Sequence, residues 1–174
     1  MYEPWTRQPV QESSLRYEGL SGPLRDVLEY WRGLGGETLA CSWAQFDLLA
    51  MPHHLIPSTM VVNIGATMKD NRFRYWGSKM TEVRGSDRTG KSPYDITPKE
   101  VGQSFYDSHS DIIKNPRWTA HRYKISWASE VERVHSVLRL PLSEDGKTVS
   151  QIVIVADFSA ASDVTNRIKQ EAGD

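Results

Sequence analysis

Cysteine is almost missing from this chain: Cys41 is the one thiol in 174 residues. No internal disulfide can form, which fits a reducing cytoplasm. An excess of charge of either sign is missing as well. Lys and Arg number 21 against 22 Asp and Glu, a formal charge of −1. That balance favours neither a nucleic acid nor an acidic membrane surface as partner. No apolar run approaches the ~20 residues that span a bilayer. The opening Met1–Ser14 stretch lacks the basic-then-apolar pattern of a secretory signal. Internal repeats and low-complexity segments are absent too. The expectation is a soluble, cytoplasmic protein without a membrane span.

What is present argues for a packed core. Six tryptophans speak against general disorder, and the length suits one domain that needs neither disulfide nor metal to fold. Residues 1–19 are polar and aperiodic, and read as a flexible lead. Residues 20–160 read as the domain and 161–174 as a tail. Within the domain, Leu24, Val27, Leu28 and Trp31 fall at helical spacing, with Ser21 or Gly22 as cap, Pro23 in the first turn and Gly35–Gly36 at the end. "TMVVNIG" (59–65) predicts a buried strand and "RFRYWG" (72–77) its hairpin partner. "SKMTEVRG" (78–85) suits a helical turn or two. "TPKE" (97–100) has the form of a capping box, with Thr97 as cap and Glu100 reaching back, opening a helix that Asn115–Pro116 stops.

The last third changes period. His121, Tyr123, Ile125 and Trp127 alternate with Arg122, Lys124 and Ser126, and "ERVHSVLRLPL" and "TVSQIVIVADFS" follow, joined by a turn containing Asp145–Gly146. A turn near Glu130 keeps His121 and His135 from pairing with each other. The predicted class is α+β: a five-stranded antiparallel sheet, helices inserted between its second and third strands, and a flanking N-terminal helix.

One stretch suggests enzymatic chemistry. "GSDRTGKS" (85–92) has the Gly-x4-Gly-Lys-Ser spacing of a phosphate-cradling loop, and "IVIVAD" supplies a strand ending in Asp157. Such a loop works only if it opens directly into a helix, whose N–H groups hold the phosphates. Pro93 follows Ser92, and the residue before a proline is pushed out of helical angles. Lys91 is therefore expected to have no helical frame, and a nucleotide hydrolase using Gly85–Ser92 stands only as an alternative reading.

The chain resembles a PAS domain, and more closely the stand-alone PAS-like family of alphaproteobacteria. The resemblance lies in the Leu28–Trp31 helix, "FRYWGSK", "GSDRTG" and "PLSEDG", in that order. It departs where the family reads Met-Pro-x-Arg after the first helix; here "TLACSWAQFDLLAMP" stands instead. The resemblance implies a sensory or regulatory module that binds a small molecule or a protein partner, is no enzyme, and passes its signal to a separate protein. It implies a cavity between sheet and inserted helices, which Trp76, Tyr106, His109, Tyr123 and Arg139 are candidates to line. The alternative for each is a side chain that fills the core, giving a structural adaptor without ligand. Neither haem nor flavin is expected. His109 sits in a polar helix, and Cys41 lies outside any flavin-reactive motif. His53–His54 lack companions for a metal. A homodimer is expected through Leu24, Val27, Leu28 and Trp31, unless that helix covers the sheet of its own chain.

Overall fold

A computed structural model describes residues 11–126 and 132–159. The expected alternation at Trp127 and the turn near Glu130 lie outside those residues, as do the first ten residues and the whole 161–174 tail. The element order is β1 (Gln11–Ser14), α1 (Gly22–Gly33), β2 (Thr59–Asn63), β3 (Arg72–Trp76), α2 (Ser78–Arg84), α3 (Lys99–Lys114), β4 (Thr119–Ser126), β5 (Glu132–Leu142) and β6 (Gln151–Asp157). The strands form one antiparallel sheet in the order β1-β4-β5-β6-β2-β3.

The α+β class is as the residue pattern predicts, but the sheet has six strands where five are expected. The additional one is β1, inside the stretch read as a flexible lead. Four polar residues carry no alternation to mark them as a strand. They are held because Gln11 to Ser14 pair with Lys124 to His121 on the edge of β4. Their backbone groups gain partners that the side chains do not advertise.

The sheet is covered on both faces, as its strands with apolar residues on both sides require. One face packs α1 and the turns of residues 36–58 against Val61, Leu138, Leu140, Val153 and Val155. The segment "TLACSWAQFDLLAMP" belongs here, burying Cys41, Phe46 and Met51. The opposite face packs α2 and α3 against Met60, Val62, Phe73, Ile152 and Ile154.

The α1 stripe is wholly internal. Leu24, Val27, Leu28 and Trp31 are all 0 % exposed, and Trp31 Nε1 donates to Pro141 O at 2.9 Å. This corrects the expectation that the stripe forms a dimer interface. The helix covers the sheet of its own chain, so a second copy has no access to those side chains. Ser21 caps the helix, its Oγ accepting from Leu24 N at 3.4 Å. The same hydroxyl donates to Asp157 Oδ2 at 2.6 Å, tying the start of α1 to the end of β6.

The capping box expected at Thr97–Glu100 does not form. Pro98 holds an extended ψ of 161° as the N-cap of α3, and no side chain caps the helix. The helix starts one residue later than the pattern suggests and leaves the exposed Thr97 outside it. Its end at Lys114, with Asn115 as C-cap, is where the sequence places it.

Candidate functional site

The face under α3 carries the polar chemistry of the molecule. Residues of one parity on β4 and β5 point to it: His121 and Tyr123 from β4, His135, Val137 and Arg139 from β5. Arg139 belongs to a cross-strand row, Thr119–Arg139–Ile154–Met60–Trp76, that runs across five strands. Opposite side chains in such a row share a face. Arg139 and Trp76 therefore stand on the same side of the sheet, with Ile154 and Met60 between them.

Arg139 is 3 % exposed. Its Nη2 donates to Tyr123 OH at 2.9 Å, and its Nη1 lies 3.3 Å from His121 Nδ1. Arginine can only donate, so Nδ1 accepts, and the neutral His121 ring carries its proton on Nε2. That nitrogen lies 3.8 Å from Glu12 Oε1 on β1. Tyr123 OH in turn donates to the same Glu12 oxygen at 3.1 Å. Burial first, then the Arg139 guanidinium, pushes the His121 pKa below its ordinary value. Among the described residues the guanidinium thus has two neutral direct partners, and its Nε has none. Among the described residues no carboxylate lies within ion-pair distance of it.

A second polar chain descends from the β2–β3 connection to α3. Gly65 N donates to Asn71 Oδ1 at 2.8 Å, Asn71 Nδ2 donates to Tyr94 OH at 2.6 Å, and Tyr94 OH lies 3.2 Å from His109 Nδ1. Because Tyr94 OH already accepts from Asn71, its own proton is available for Nδ1. Met68 Sδ, 3.9 Å from the same hydroxyl, is a second acceptor for it, and His109 Nε2 is a buried atom with no partner among the described residues. His109 is 0 % exposed, and burial, then the Arg139 charge, lowers its pKa to about 3. The ring is neutral at any ordinary pH. Burial also raises the Tyr94 hydroxyl to about 12, so this chain carries no charge. Gly102 lets α3 approach closely enough for the arrangement. A Cβ there would stand 2.3 Å from Tyr94 O.

Of the residues expected to line a cavity, Trp76, His109, Tyr123 and Arg139 are buried beneath α2 and α3. Tyr106 is not. It is 41 % exposed, on the outer side of α3, its ring 5.1 Å from that of Tyr94. Helical spacing sets it one position away from the inward Phe105, which is why it turns out. Trp76 Nε1 is a further buried atom with no partner among the described residues. His135 lies between two rings, 5.4 Å from Tyr123 and 5.0 Å from Phe158.

Two clefts flank this polar cluster. One, of about 450 Å3, runs between Glu12 and the first half of α3, with Lys99, Glu100, Gln103 and Asp107 on its walls. The other, of about 440 Å3, has His121 in its lining, with Arg16, Glu18, Asp111 and Arg117 around it. The chain Glu12–Tyr123–Arg139–His121 therefore links the two clefts through the buried guanidinium. The sequence pattern missed Glu12, Asn71 and Tyr94. Alternation placed His121 on the same face as Tyr123, which is the signal that could have found it.

The Gly85–Ser92 loop has another role. Phe73 N donates to Lys91 O at 3.0 Å and Gly90 N to Phe73 O at 2.8 Å, so the loop extends the sheet along the outer edge of β3. Gly90 takes a φ of 77° to make that turn, and after the loop the next helix begins only at Lys99. The geometry of a phosphate loop is missing. The carboxylate of Asp157 is engaged by Ser21 and Ser159.

Among the described residues no helix is long and apolar enough to cross a membrane, and no His, Cys, Asp or Glu cluster is arranged to hold a metal ion. Compared with protein-family models and with curated proteins, the chain matches none.

Proposed function

We propose that this chain is a PAS-like sensory or regulatory module, cytoplasmic and without catalytic activity, that binds a small molecule between its sheet and α3. The signal passes to a separate protein rather than to nucleic acid. The observation that carries this reading is the set of buried side-chain nitrogens without partners among the described residues on the face under α2 and α3: Arg139 Nε, His109 Nε2 and Trp76 Nε1. An unpaired buried donor costs roughly 1–3 kcal/mol, and native proteins leave few of them. Three on one face, each from a residue type suited to orient a ligand, fit a site whose partner is a separate molecule.

The order of elements supports the same reading. Two helices lie between β3 and the β4–β5–β6 meander, and the polar residues gather where those helices meet the sheet. The test is native mass spectrometry of the protein purified from its own host, compared with the denatured chain. A small-molecule mass increment that is lost on denaturation is the expected result. Bare protein, together with no change in the His109 or Trp76 side-chain NMR signals on adding host metabolite extract, refutes the reading in favour of an adaptor with a filled core.

A further inference from the structure

Resting on that reading, we propose that the ligand presents a carboxylate to Arg139, and that Glu12 on β1 stands in for that carboxylate until it arrives. Arg139 Nε and Trp76 Nε1 can only donate and have no partner among the described residues, and the fixed charge beneath α3 is a cation. The complement is an acceptor of negative charge. The free edge of the guanidinium specifies its shape. Nε and Nη2 form the side-on fork that matches a planar carboxylate with two parallel hydrogen bonds. Nε is unused, and Nη2 is held only by the neutral Tyr123 hydroxyl.

Glu12 is linked to the guanidinium through one intermediary, Tyr123. Its side chain is 43 % exposed and sits on a four-residue edge strand, so it is held weakly. A carboxylate bound directly to Arg139 has the buried cation as a neighbour, in surroundings where charge interactions are stronger than at the surface. It therefore displaces Glu12 from Tyr123. The nearer opening is the cleft lined by His121, where two arginines balance two carboxylates; Arg139 lies outside that lining, behind His121. The other cleft sets three carboxylates against one lysine and repels an anion. Displacing Glu12 removes a side-chain tie between β1 and β4 and leaves β1 on its backbone pairing alone, which makes the N-terminal strand the element that reports occupancy.

The test follows the Arg139 Nε–H signal in 1H–15N spectra of the labelled full-length chain, assigned through Arg139→Lys. Acetate and benzoate are the probes, with acetamide and benzamide as neutral controls. The expected result is a saturable shift with the carboxylates only, and increased amide exchange over Gln11–Ser14. Glu12→Gln, which removes the stand-in, is expected to tighten binding about tenfold, the equivalent of one charge-assisted hydrogen bond. If Arg139→Lys does not fold, the Nε–H signal is assigned by through-bond correlation within the Arg139 side chain, and Tyr123→Phe, which cuts the Glu12 link and leaves Nε untouched, is expected to tighten binding likewise. A signal unmoved by either carboxylate in both wild type and Glu12→Gln overturns the proposal, as does an equal response to the amides. A neutral molecule retained from the host, with Arg139 Nε–H unaffected by it, overturns the carboxylate while leaving the ligand-binding reading intact.

Discussion

Acidification from pH 7 to pH 5 should destabilise this protein through His109. In the unfolded chain the imidazole titrates at its ordinary 6.5, whereas in the folded protein burial and Arg139 hold it at about 3. The folded-state pKa is depressed, so between these values the unfolded state binds a proton that the folded state refuses. Stability is complete above the unfolded pKa and is lost as pH falls toward the folded one. Each pH unit in that window costs about 1.36 kcal/mol per proton. Allowing for the partial titration already present at pH 7, the loss by pH 5 is about 2 kcal/mol from His109 alone. His135, lowered to about 4 by burial and then by Arg84 and Arg139, contributes in the same direction. The aspartates with depressed pKa values titrate lower and add little in this range. The assay is urea unfolding at the two pH values, where 2 kcal/mol moves the midpoint by about 1 M. His109→Gln is expected to lose stability at pH 7, yet to show a pH dependence shallower by about 2 kcal/mol. The comparison is between slopes, so the basal cost of the substitution does not enter. A midpoint that does not move between pH 7 and pH 5, or an unchanged slope in His109→Gln, refutes the reasoning.

Trp31→Glu should abolish cooperative folding, because it places a charge at a site with no exposure and leaves Pro141 O unpaired. The expected cost exceeds about 4 kcal/mol, and a folded Trp31→Glu protein of reduced oligomeric state by light scattering would contradict it. Thr97→Ala should change stability by less than about 0.5 kcal/mol, as for exposed positions without special contacts; a loss near 1 kcal/mol in denaturant melts would mean that Thr97 caps α3 after all. Gly102→Ala should cost about 1–3 kcal/mol, since the new methyl forces α3 away from Tyr94 O. It should also shift the His109 ring signals in NMR spectra, and unshifted signals would separate Gly102 from the site.

Local pattern was enough for elements whose residues announce their own burial. The spacing of Leu24, Val27, Leu28 and Trp31 specifies a helix with one covered face. The alternation from His121 onward specifies which side chains of β4 travel together, and Pro93 excludes a helix after Lys91. These features depend on neighbours along the chain, and periodicity records neighbours. The pattern could not say what covers the α1 stripe, because its own sheet and a second copy both present apolar surface. Tertiary packing decided for the sheet, with Pro141 O 2.9 Å from the indole nitrogen. Nor could it place Glu12, a polar residue in an aperiodic stretch. That residue reaches Tyr123 only because backbone pairing with β4, more than a hundred positions away, turns four polar residues into an edge strand. The candidate site has the same origin. Arg139, His109 and Trp76 come from a strand, a helix and another strand, and each alone reads as an ordinary core or surface residue. Only the closing of α2 and α3 over the sheet buries all three and leaves each with a polar atom unmatched among the described residues, because hydrogen-bond partners are settled by what is near in space rather than in sequence.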